Sequence, residues 1–339
     1  MKYRSVVVTR IGGPEVLQVV ENDLRAPAAG EVRIKVLAAA VSRPDITART
    51  GEALYSGTPL GQKVPFVPGY AVIGDVDAVG TGVTEAAVGD RVGALTIVGG
   101  YSETLYWKSD RLIPVPPTVD PAEAVPLILN YVVAYQALHR AAKVKKDDTT
   151  LIVGASGGIG TALLQLGKLA GLKMYGIASK SKHPVLCSYG AIPIDYRTQD
   201  FVEVIRQAEP GGLDAVLDGM MRLEYIRGGL SLLRRGGTLV SFGEPAGFRA
   251  LFRILMTFMV ANLLPNGKSC KLYGTSFYFV GDKRPFLEDW ATLFKLLEEG
   301  KIRPVIARKY PILQAAQANE LLESGTVTGN VVLVTPELL

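Results

Sequence analysis

Seven residues constrain this chain more than any others. Gly154-Ala155-Ser156-Gly157-Gly158-Ile159-Gly160 lies between the apolar run Leu151-Ile152-Val153 and a stretch of helical spacing from Ile159 to Ala170. Ala155, Gly157 and Gly160 hold the three small-residue positions of a dinucleotide-binding turn, with alanine in place of the first glycine. One small residue permits the tight turn, a second lets backbone approach a pyrophosphate, and the third lets helix and strand pack closely. The phosphates then rest on the N–H groups of the helix N-terminus. A glycine turn alone carries little weight, but a strand before it and a helix after it make it a nucleotide site. Ser156, Gly157, Gly158 and Ile159 are its expected phosphate contacts.

The surrounding pattern agrees with that reading. From Leu151 onward strands alternate with helices: Leu151–Val153, Ile159–Ala170, Lys173–Ala178, Phe201–Ala208, Ala215–Leu217, Leu223–Leu233 and Thr238–Phe242. Such alternation produces a parallel sheet with crossover helices, here a Rossmann doubly wound α/β unit. The first third is different. Val32–Ala40 and Val72–Val79 read as strands bounded by Gly and Pro, which suggests a closed or nearly closed antiparallel unit. The change comes near Pro121, where Asp120 is placed to cap a helix. After Lys271 the pattern gives a strand over Leu272–Phe279, a helix over Pro285–Glu299 and a last strand over Val331–Val334.

A cofactor with a free 2′-hydroxyl is usually met by Asp or Glu about 20 residues beyond the glycine turn. This chain has Ala178-Ser179-Lys180-Ser181-Lys182, with two ammonium groups, two hydroxyls and no carboxylate. That set suits a 2′-phosphate and points to NADP(H), with Ser179 and Lys182 as its readers. The alternative for the same residues is a basic solvated loop.

Composition excludes several classes. Lys and Arg number 37 against 32 Asp and Glu, for a net charge of +5, and the two signs are interspersed, which argues against nucleic acid. Two cysteines (Cys187, Cys270) and two histidines (His139, His183) build neither a four-cysteine zinc site nor a disulfide framework. No metal site is expected. The apolar start is too short for a signal-peptide core, and no window reaches the roughly 20 apolar residues of a membrane span. A cytoplasmic location is therefore expected. The nearest window, Phe248–Leu264, is broken by Arg249, Arg253 and Asn262. It is expected to wall the substrate pocket or pack against a partner subunit, with a membrane-surface helix as the rival.

The run Asn130-Tyr131-Val132-Val133-Ala134-Tyr135-Gln136-Ala137-Leu138-His139-Arg140, followed by the glycine turn, resembles the medium-chain dehydrogenase/reductase superfamily. The zinc-independent, quinone oxidoreductase-like branch is the nearer match. Gly12-Gly13-Pro14-Glu15-Val16-Leu17, Pro68-Gly69-Tyr70, Val88-Gly89-Asp90-Arg91-Val92, Ile194-Asp195-Tyr196-Arg197 and Gly325-Thr326-Val327-Thr328-Gly329 follow in the family's order.

The resemblance implies a GroES-like catalytic domain over residues 1–122 and 272–339, and a Rossmann domain over 123–271. Nicotinamide would bind in a cleft between them, and a homodimer would form through the strand near 271–279. It adds Asn130, Tyr196, Phe242, Gly243 and Asn330 to the expected cofactor contacts. Zinc-dependent relatives carry His-Glu after Pro-Gly and a ligand Cys near Ser42. Here Tyr70-Ala71 follows Gly69, and no cysteine stands near Ser42. Met220-Met221 replaces the family's usual Gly-Gly, and Val133 replaces a Thr.

Without a metal, hydride must pass from the reduced nicotinamide to an acceptor that is already electron-poor, either a quinone or an α,β-unsaturated carbonyl. Tyr70, Ser42 and Tyr55 are the candidate donors to the developing oxyanion. Tyr70 reads equally as a packing aromatic, and Asp45 reads as a structural residue. The rival function is a cofactor-binding interaction or membrane-associated protein with little catalysis.

Overall fold

In the computed structural model, residues 1–59, 61–275, 279 and 281–339 are described. The chain forms two compact units, Met1–Val132 with Asp282–Leu339, and Val133–Gly281.

The second unit is a Rossmann fold. Its six strands are β1 (Thr149–Val153), β2 (Lys173–Ala178), β3 (Ile192–Asp195), β4 (Leu213–Asp218), β5 (Leu233–Ser241) and β6 (Ser269–Leu272). They lie in the order β3-β2-β1-β4-β5-β6, and every pairing is parallel. Leu151, Val153, Ile177, Ile194, Val216 and Leu239 form the core of this sheet. Runs of apolar, largely β-branched residues suit strands covered on both faces, which explains why these strands show no polar alternation. The strand order reverses between β1 and β4. The crevice at the carboxyl ends of strands on either side of such a reversal is where nucleotides bind.

The first unit is built on a seven-stranded sheet. Its path runs Ile306–Pro311, Asn330–Val334, Glu31–Val41, Ala71–Val79, Arg91–Leu95, Ile113–Pro114, and Thr104–Lys108 also pairs with Glu31–Val41. All its pairings are antiparallel except the one between the last two strands of the chain. Lys2–Val8 and Leu17–Asp23 form a separate antiparallel pair. Val32, Ile34 and Val36 are buried, whereas Arg33 points outward to Asp77 at 2.7 Å. This inside–outside alternation is what a half-covered antiparallel strand requires. Val331–Val334 pairs with Val41–Ala38, so the end of the chain completes the sheet begun near its start.

Both unit boundaries lie ten residues beyond those expected from the sequence. The helix begun at Pro121, capped by Asp120 through the Ala122 N–H at 2.8 Å, stays with the first unit. Trp290 Nε1 donates to the carbonyls of Leu127 and Ile128, both at 3.2 Å, and fastens that segment. At the other boundary Tyr273 donates its hydroxyl to Gln136 Oε1 at 2.7 Å, which holds it in the Rossmann unit.

The strand expected over 272–279 needs correction. It runs from Ser269 to Leu272, because its partner β5 ends at Ser241, opposite Leu272. Tyr273 and Gly274 are outside the strand, and residues 276–278 lie outside the described residues.

Candidate functional site

The glycine turn joins β1 to the helix Gly158–Leu169. Gly154 adopts φ 81°, a left-handed conformation that suits glycine. A methyl group built on Gly160 would overlap the Gly154 carbonyl, so only glycine allows helix and strand to approach this closely. At Gly157 the nearest atom to such a methyl is the Gly154 oxygen at 3.7 Å, so the fold alone does not demand glycine there. Gly157 is the N-cap and makes no side-chain cap hydrogen bond, which leaves the first helical N–H groups facing outward for an anion. These features fit a dinucleotide pyrophosphate.

At the end of β2, Ser179 is half-buried and Lys180 and Ser181 are exposed. Lys182 is not the solvated side chain of the alternative reading. It is only 7% exposed, and burial lowers its ammonium pKa from the usual value. Tyr196, after β3, is half-exposed with the Arg197 guanidinium over its ring.

At the end of β4 the buried Asp218 carboxylate accepts the N–H groups of Met220 and Met221, at 2.9 and 3.2 Å, and the Ser241 hydroxyl at 2.9 Å. Desolvation raises its pKa, and these three donors oppose the rise. Met221 sits at φ 48° with its side chain buried, in the region that the family's glycine would occupy without strain. Met220 is exposed, with its sulfur beside Gly154. Phe242 and Gly243, just after β5, pack against Gly219. The Rossmann unit thus gathers the turn, the Ser179–Lys182 loop, the methionine pair and Phe242–Gly243 at the carboxyl ends of its strands.

In the first unit, Ser42 caps the helix Arg43–Thr50, and Asp45 is that helix's third residue. The Asp45 carboxylate is buried and accepts from four donors. These are the Ser42 N–H at 2.8 Å, the Ser42 hydroxyl at 2.6 Å, the Gly69 N–H at 2.9 Å and the Tyr101 hydroxyl at 3.3 Å. Desolvation pushes its pKa up to about 6 against the pull of those bonds. Asn319 Nδ2 donates to Tyr101 at 3.4 Å, which extends the network to the C-terminal helix.

This network places Tyr70. Gly69 is held by Asp45 on its N–H and by Thr96 on its carbonyl, at 2.6 Å, and the Tyr70 carbonyl accepts from Thr96 and Ile97. Tyr70 is half-buried on this pinned backbone, while Tyr55 is exposed in a turn-rich segment. The Ser42 hydroxyl is committed to Asp45, so Asp45 organises the loop, as its structural reading requires. Asn130 and Asn330 come together across 200 residues of sequence, with Asn130 Nδ2 donating to Asn330 Oδ1 at 2.6 Å. Asn330 Nδ2 in turn donates to the Val305 carbonyl.

Tyr101, Thr96 and Asn319 were not legible as site residues, because no motif marks them. Asp218 was visible only as the residue before Gly219. Among the described residues no group of three or more His, Cys, Asp or Glu is arranged to hold a metal.

Residues 28–117 match the family described as alcohol dehydrogenase GroES-like domain, and residues 190–333 match the family described as zinc-binding dehydrogenase. The quinone oxidoreductase of Rattus norvegicus is 30% identical, over 98% of this chain and 97% of its own length. The synaptic vesicle membrane protein VAT-1 homolog of Danio rerio is 31% identical, over 98% of this chain and 70% of its own. Among solved structures, a mycobacterial quinone oxidoreductase superimposes with a TM-score of 0.81 at 28% identity, covering 98% and 99% of the two chains. The described residues show no group of three or more His, Cys, Asp or Glu arranged to hold the metal that the zinc-binding description names, and Tyr70-Ala71 follows Gly69 in the GroES-like part. With its GroES-like and Rossmann units and its full-length likeness to quinone oxidoreductases, the chain belongs to the medium-chain dehydrogenase/reductase family as an oxidoreductase.

Proposed function

We propose that this protein is an NADPH-dependent reductase of quinones or α,β-unsaturated carbonyls that works without a metal. The observation that carries the proposal is the helix N-terminus at Gly157, with the Ser179–Lys182 loop at the end of the next strand. A mycobacterial neighbour at 28% identity and TM-score 0.82 was solved in complex with NADPH, which supports the same cofactor here.

Reduced nicotinamide supplies a hydride when bound, and the chain's own residues do the rest. Ser156, Gly158 and Ile159 offer backbone N–H groups to the pyrophosphate, and Gly157, whose own N–H is turned to the Gly154 carbonyl, admits its close approach. Ser179 and Lys182 read the 2′-phosphate, and Tyr196 lines the adenosine side. Phe242, Gly243, Asn130 and Asn330 are the remaining proposed cofactor contacts. Tyr70, on a backbone fixed by Asp45 and Thr96, is the proposed hydrogen-bond donor to the acceptor oxygen, with Tyr55 as a further candidate, whereas the Ser42 hydroxyl is already given to Asp45. Assembly as a homodimer through the edge strand β6 belongs to the same proposal.

The test is NADPH oxidation with a panel of small quinones and an enone, repeated with NADH. A hydrogen bond to a charged group contributes about 1.5–3 kcal/mol, so the Lys182→Ala variant should lose roughly ten- to a hundredfold of its NADPH-over-NADH ratio of kcat/KM. Equal use of both cofactors by the unaltered protein would refute the 2′-phosphate assignment. No turnover with any acceptor, despite measurable NADPH binding, would refute the reductase.

A further inference from the structure

We propose that the helix Gly247–Leu263 seats the Rossmann unit on an anionic lipid surface, lying in the plane of the membrane. This inference does not depend on the substrate assignment.

One side of the helix is ordinary. Ile254, Phe258 and Ala261 enter the Rossmann core beside Leu232, Leu239 and Cys270. The opposite side should be polar if it faced only water. Instead Phe248, Phe252, Leu255, Met259 and Leu263 recur at helical spacing as one stripe, widened by Met256 and Val260, and every one is exposed. Phe252 is 64% exposed and Leu263 76%. A contiguous apolar surface of this kind marks an interaction face. At 17 residues the helix is about 25 Å long, and no described helix is long and apolar enough to cross a membrane. Lying on the surface is the geometry that remains.

Charge selects the occupant. Arg249 and Arg253 stand one turn apart along one edge of the stripe, both exposed, and neither is paired with a carboxylate among the described residues. From Pro245 to Gly281 the sequence has no Asp or Glu, while it carries Arg249, Arg253, Lys268 and Lys271. An apolar stripe with cations at its margin places side chains in the acyl boundary and guanidinium groups at the headgroup phosphates. A second copy of this chain fits less well. A two-fold contact through this face would bury four arginines, and the face offers no carboxylate to pair with them.

The experiment is flotation of the full chain with phosphatidylcholine vesicles, with and without added phosphatidylserine, across a salt series. Binding is expected with phosphatidylserine, weakening as salt rises. Arg249→Gln with Arg253→Gln should reduce it roughly 30-fold, at about 1 kcal/mol per basic residue near an anionic surface. Phe252→Ser with Leu263→Ser should abolish it, and because both side chains are exposed the melting temperature should not fall. No flotation with phosphatidylserine vesicles would overturn the proposal, as would flotation unchanged in the Phe252/Leu263 variant. Sedimentation velocity supplies the remaining arm: a dimer that dissociates on Phe252→Ser with Leu263→Ser would give this face to a second copy and overturn the lipid assignment.

Discussion

Asp45 shows how one buried carboxylate can organise a loop without reacting. It joins the start of a helix to the Gly69 backbone and to the Tyr101 hydroxyl, so removing it releases several donors together. Burial lifts its pKa from an ordinary 3.8 to about 6. A carboxyl whose pKa is higher in the folded than in the unfolded chain binds its proton more tightly when folded. Its contribution is therefore full below about pH 4 and is lost as pH rises through about 6. Asparagine at this position has no such titration. Chemical denaturation of the unaltered protein and Asp45→Asn should show the stability difference, in favour of the unaltered protein, growing by up to roughly 3 kcal/mol between pH 8 and pH 4. A difference that does not change with pH would show that Asp45 is not held in this environment.

The glycine turn separates two demands that a single element can meet, folding and binding. Gly160 is required by close packing alone, because a methyl group there would strike backbone. Gly157 has room for a methyl and an ordinary φ of −75°, so its absence of a side chain matters chiefly to a ligand. Gly157→Ala should leave the melting temperature nearly unchanged while weakening NADPH binding at least about tenfold, measured by fluorescence titration. Gly160→Ala should lower both stability and binding, by about 1–3 kcal/mol in stability as an overpacked site. Equal effects of the two substitutions on melting would make the turn purely structural. This element was legible because phosphate binding and close packing both act on adjacent residues. The same locality made the ends of Lys173–Ala178 and Phe201–Ala208 readable to the residue. The strand after Lys271 was not readable in this way, since its end is set by the length of β5, more than thirty residues earlier. The Asp45 network was hidden for a related reason: Tyr101 and Asn319 reach it through the tertiary fold.

At the scale of the whole molecule, the distribution of metal-binding side chains supports the proposal of hydride transfer without a metal. All four Cys and His residues lie between 139 and 270, within the Rossmann unit. Residues 1–132 and 282–339, which form the GroES-like unit, contain no Cys or His. Within the Rossmann unit Cys270 is buried in the core with its thiol pushed up to about 11, which opposes the thiolate form that metals bind. His139 packs against Tyr135 with ring centroids 4.5 Å apart and the ring planes tilted by 53°, and His183 points a ring nitrogen at the Ala178 carbonyl. A zinc ion in the GroES-like unit would have to be held by carboxylates alone, a poor match for its preference for nitrogen and sulfur. The proposed activity toward quinones should therefore persist after prolonged chelation, and elemental analysis of the purified protein should find far less than one zinc per chain. One zinc per chain, with activity lost on its removal and regained on its return, would refute hydride transfer without a metal and leave the Rossmann assignment untouched.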